Sequence, residues 1–68
     1  MEPEADIAEL FAGVTARCEN AAGLAAEGQS AALGALAGAN LVRAIRPHVA
    51  AASDILDRIE QELETPRA

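Results

Sequence analysis

The chain has 68 residues, a formal net charge of −6 and an apolar fraction of 51% that contains a single aromatic, Phe11. Eleven acidic residues face five arginines and no lysine, which argues against nucleic-acid binding and against attraction to an anionic membrane, since both draw on basic contacts to phosphate. One cysteine, Cys18, excludes an internal disulfide, so a single domain spanning 1–68 must be held together by packing, a metal or a partner.

The sizeable core candidates are four Ile, seven Leu, three Val and Phe11; most of the other apolar residues are Ala. That is a thin supply for a monomer, because ordering costs about 1.5 kcal/mol per residue while a fully buried large aliphatic side chain returns roughly 1.5–3 kcal/mol. Self-association or a partner helix is the expected support. The acidic start is unlike a secretory signal, whose first residues are basic. The uncharged run 29–42 is too short to span a bilayer. A cytoplasmic location is expected, and arginine-only, Ala- and Gly-heavy usage fits a GC-rich bacterial genome.

Taken in order, the chain opens a first helix at about 3–26. Pro3 suits a first helical position, where its missing N–H is no loss, and Glu2, Glu4 and Asp6 lie at the positive end of the helix dipole. Ile7, Phe11, Val14, Cys18, Ala21 and Ala25 then step by four and three, with Leu10, Arg17 and Leu24 beside them. This is an amphipathic helix with Phe11 and Cys18 expected in its core face and Glu9, Thr15, Glu19 and Ala26 in water. Residues 27–30 read as a turn: Gly28 is expected to take the left-handed conformation and Ser30 to cap the next helix.

A second helix is expected over about 30–64. Ser30, Gly34 and Gly38 recur every four residues, which would line one edge of that helix with small groups and admit a close neighbour. Val42, Ile45, Val49, Ala52, Leu56, Ile59 and Leu63 continue at spacings of three and four, the a/d stripe with which one helix packs along another. Leu41, His48 and Ile55 widen it. Pro47 falls inside this stripe and either kinks the helix or ends it, in which case three helices over about 3–26, 30–45 and 47–64 result. Asp54, Asp57, Arg58, Glu60, Gln61, Glu62 and Glu64 form a solvated outer face, and 65–68 a frayed tail. No strand signal is present.

No catalytic or cofactor-binding residues stand out. The carboxylates of 54–64 lack the walled, partly dry setting that acid–base work needs, and His48 has no Cys, second His or carboxylate at ligand spacing, so no metal site is expected. Cys18 reads as a small buried core residue. The basic patch of Arg43, Arg46 and His48 is the sharpest candidate for contact with an acidic partner or an anion.

The sequence therefore predicts an all-α antiparallel helical hairpin that dimerises into a four-helix bundle. Its predicted role is a non-enzymatic protein–protein interaction module with no cofactor, acting through Phe11, Val14, Leu41, Val42, Ile45, Val49, Ile55, Leu56, Ile59 and Leu63. Its partners would be itself, as a homodimer, or a helix of another protein. A small-molecule or anion-binding regulator with its site near Arg43, Arg46 and His48 is the alternative.

Overall fold

The residues that step by three and four do form helices. Helix α1 runs Pro3–Gly28 and helix α2 runs Ala35–Glu64. This computed structural model describes residues 3–30 and 32–64, with side chains from residue 7 onward. The expected tail at 65–68, Glu2, and the side chains of Glu4 and Asp6 lie outside the described residues. The two helices lie against each other with Gly13 by Ile55 and Gly28 by Leu41, so the pairing is antiparallel.

Pro47 sits within α2 and does not end it. Its ring removes one N–H to carbonyl bond at Arg43, but that side of the helix faces solvent, where water can serve the freed carbonyl. The three-helix alternative is thereby excluded.

The connection differs from the sequence expectation. The second helix begins at Ala35 instead of residue 30, and none of the described glycines has positive φ, so Gly28 does not take the left-handed form. Instead the N–H groups of Gln29 and Ser30 donate three residues back, to Ala26 and Glu27 at 3.2 and 3.3 Å, tightening the last turn of α1 into 3₁₀ geometry. Ser30 caps a turn of its own: its carbonyl accepts from Leu33 N at 3.2 Å and its Oγ from Ala32 N at 3.4 Å. The carbonyl of Gly34 accepts the first bond of α2, from Gly38 N at 2.9 Å, which makes Gly34 the N-cap. Leu33 then lies over Gly38, its Cδ2 3.6 Å from where a Cβ would stand. Those are the two positions that a hydrophobic staple joins. The small-residue edge expected along a helix from Ser30 to Gly38 is therefore absent, because Ser30 and Gly34 precede α2. Close approach occurs on α1 instead, where a Cβ on Gly13 would stand 3.3 Å from Ile55 Cδ1.

Two substitutions check this account. Gly23 lies inside α1 with nothing within 4 Å of a built Cβ, so Gly23→Ala should raise stability by about 1 kcal/mol, the propensity difference in a helix interior. Gly13→Ala gains the same propensity but pushes on Ile55 and should gain clearly less. Urea denaturation of the two variants beside the parent measures the difference.

The rod is long and thin, 57 × 14 × 14 Å with a radius of gyration of 16.0 Å; a compact chain of this length would have about 11 Å. Its accessible surface of 5066 Å² exceeds the roughly 4,000 Å² of a typical folded monomer of its mass. The core is accordingly slight. Among the described residues only Ala52 and Ile59 are buried, and no side chain is completely so.

Candidate interaction surface

Which apolar residues point inward follows from the rotation of each helix about its axis. Successive residues turn by about 100°, so each helix has a central column and two flanking ones. On α1 the column of Ile7, Val14 and Ala21 lies between Leu10, Arg17, Leu24 and Phe11, Cys18, Ala25. On α2 the column of Ile45, Ala52 and Ile59 lies between Leu41, His48, Ile55, Glu62 and Val42, Val49, Leu56, Leu63.

The contacts decide how these columns meet. Arg17 Nη1 lies 3.3 Å from His48 Nδ1, and Gly13 approaches Ile55. The seam is thus turned toward the Arg17 and His48 side. Leu10, Leu24, Leu41, Ile45, His48, Ile55 and Glu62 are half-buried there, around buried Ala52 and Ile59. The remaining flanks, Phe11, Cys18 and Ala25 with Val42, Val49, Leu56 and Leu63, are left together on the opposite side, and all seven are exposed.

The expected interface residues therefore divide into two sets. Val14, Leu41, Ile45, Ile55 and Ile59 hold the hairpin together. Phe11, Val42, Val49, Leu56 and Leu63 do not: they remain between 46% and 67% exposed. Two sequence expectations are corrected here. Cys18 is not a core residue but exposed, and Phe11 is not in the core, because α1 turns its Leu10–Leu24 edge toward α2. The four α2 members of the exposed set recur every seventh residue over 21 residues, a column about 32 Å long at 1.5 Å per residue that winds by about 20° per heptad around the helix. Such a column is the contact line of a helix seated against another helix.

The polar candidates are scattered. His48 lies in the seam, whereas Arg43 donates to Asn40 Oδ1 at 3.3 Å on the outside of α2. Two and five residues from His48, Arg46 and Arg43 lie roughly 160° and 140° around the helix from it. The three do not form one site. Because a guanidinium has no acceptor, a hydrogen bond between the two runs from Arg17 to His48 Nδ1. An open groove of about 490 Å³ beside this pair is lined by Glu19, Asn20, Gly23, Leu24, Glu27 and His48. Its two carboxylates oppose an anion.

A polar layer in an apolar seam fixes register at some cost in stability. Replacing half-buried His48 by Leu should therefore raise the unfolding free energy by about 1 kcal/mol, since an exposed hydrogen bond is lost and apolar burial gained. Thermal melts of H48L and the parent measure it.

Among the described residues no group of three or more His, Cys, Asp or Glu side chains is placed to hold a metal ion, and no helix is long and apolar enough to cross a membrane. No family model, curated protein or solved structure matches the chain. The geometry of the hairpin is what its function must be argued from.

Proposed function

We propose that the chain is a non-enzymatic protein–protein interaction module, a small assembly, docking or regulatory subunit that works through the apolar side of its hairpin. The observation that carries this reading is the column Val42, Val49, Leu56 and Leu63 with Phe11 beside it, uncovered on a hairpin that buries only two residues among those described. A surface of this extent is costly to leave in water and marks a site of association.

Self-association into a four-helix bundle uses that side directly, and a bend at Pro47 would let the upper part of α2 follow a neighbouring helix. Residues 35–46, before the proline, hold one member of the column, Val42, and 48–64, after it, hold Val49, Leu56 and Leu63. The acidic outer face keeps the assembly soluble in the cytoplasm of a bacterial cell. Sedimentation equilibrium tests the reading. A particle of about 14 kDa, twice the chain mass of 7.0 kDa, or a stoichiometric complex with a partner helix, is expected; a folded monomer at 100 µM with no partner would refute it.

The anion-binding alternative draws no support from the site, because Arg43 and Arg46 point away from His48 and the groove beside His48 is lined by Glu19 and Glu27.

A further inference from the structure

We infer that the occupant of the exposed apolar side is a second copy of this chain, laid antiparallel so that α2 packs on α2. This inference rests on the interaction-module reading and adds the partner, its direction and its register.

Charge supplies the direction. From Ala35 to Ala52, α2 carries Arg43 and Arg46 and no acid; from Ser53 to Glu64 it carries Asp54, Asp57, Glu60, Glu62 and Glu64 against Arg58 alone. This is the reverse of what the helix dipole favours, since α2 has no acid in its first turn and no base in its last. The antiparallel hairpin does not relieve it. The first turns of α1, with Glu4, Asp6 and Glu9, lie at the same end of the rod as the acidic half of α2. One end of the rod is strongly acidic and the remainder is close to neutral, with its arginines toward the loop.

Two hairpins can join their apolar sides in two symmetric ways. If both rods point the same way, α2 of one lies over α1 of the other and the two acidic ends coincide. If they point in opposite ways, α2 lies over α2 and α1 over α1, and each acidic end meets the arginine-bearing region of the other copy. Like charges brought together are a specific penalty against the first arrangement.

The register follows from the column itself. Four residues at intervals of seven map onto themselves when reversed: Val42 meets Leu63 of the second copy and Val49 meets its Leu56. The same reversal brings Phe11 to the height of Cys18 of the second copy, a large group opposite a small one. It also sets Arg46 within one residue's rise of Glu60 of the second copy, both on the solvent edge of the column where charged pairs flank a helical seam. The contact is isologous and closes at two chains.

Cross-linking reads this arrangement. With Cys18→Ser as background, chains carrying Val42→Cys are mixed with chains carrying Leu63→Cys under a glutathione redox buffer, and in a second mixture Phe11→Cys is combined with Leu56→Cys. The inference predicts the 42–63 disulfide in the first mixture, no disulfide in the second, and none in any single variant alone, because along the axis two residues 42 or 63 would stand about 32 Å apart and two residues 11 or 56 about 10 Å, all beyond disulfide reach. A disulfide joining 11 to 56 would show rods pointing the same way and overturn the inference while leaving the module reading standing. So would a dimer of the expected mass that forms neither. A monomeric mass for the unmodified chain would overturn both. Arg46→Glu should weaken the dimer about tenfold, since two symmetric pairs become repulsive, and Glu60→Arg in the same chain should restore it; failure of that restoration removes the proposed register.

Discussion

Replacing Ile59 by Ala should lower the unfolding free energy by about 3 kcal/mol, within the usual range for a buried aliphatic truncation. Among the described residues Ile59 is the one large side chain that the hairpin buries, at 3% exposure, with Ala52 two turns away in the same column at 8%. A protein with a full core has several such residues, and loss of one leaves the others packed. Here there is no reserve. For a small domain whose total stability is a few kcal/mol, I59A should convert a cooperative two-state melt into a broad, weakly sloping loss of helix signal. Circular dichroism against urea measures this, with Leu36→Ala as the reference. Leu36 is 75% exposed and off the apolar column, so its truncation should change little.

The second large effect belongs to the exposed side. Leu56→Glu should raise the dissociation constant for self-association at least a hundredfold, because the dimer would have to take two unpaired carboxylates into its seam, one from each copy. In the isolated hairpin Leu56 is 46% exposed, so the same substitution costs the fold itself little directly. The two effects separate the roles of neighbouring columns: a change at Ile59 strikes the hairpin, a change at Leu56 strikes its pairing. If L56E associates as the parent does, the column is a solvated surface and the interaction reading fails. Measuring the helical signal of both proteins at equal concentration shows how much hairpin order depends on association.

The helices were legible in the sequence because their signal is periodic. Pro3 at a helix start and apolar spacings of three and four give α1 and α2 directly, and the continuous register through Pro47 argues for the unbroken helix that the structure shows. The rotation of the seam was not legible. Both helices carry three adjacent apolar columns, and a sequence pattern reports the centre of that broad face, while packing selects one half of it. The choice was made by features with little weight in a periodicity reading: Gly13, whose bare backbone admits Ile55, and Arg17, whose long side chain reaches His48. That rotation moved Phe11 and Cys18 from expected core to surface.

The connection failed to read true for a different reason. Gly28 and Ser30 are strong turn formers, and Gly34 is a weak helix former with no mark of an N-cap beyond its permissiveness. Ser30, however, forms its own turn with Ala32 and Leu33, and Leu33 settles over Gly38, its Cδ2 3.6 Å from where a Cβ would stand. Those contacts are decided three to five residues apart by side-chain shape, which composition does not record. The basic patch likewise looked compact in the sequence, yet helical rotation sends Arg43 and Arg46 away from His48.

The most direct test of the central claim, that this hairpin completes its core by association, is the thermal midpoint of the unmodified chain as a function of its concentration. Folding coupled to dimerisation makes the midpoint rise with concentration by mass action. A rise of several degrees between 2 µM and 200 µM, abolished in L56E, is the predicted result. A sharp midpoint that is the same at every concentration would show that the hairpin is stable alone, and would contradict the account.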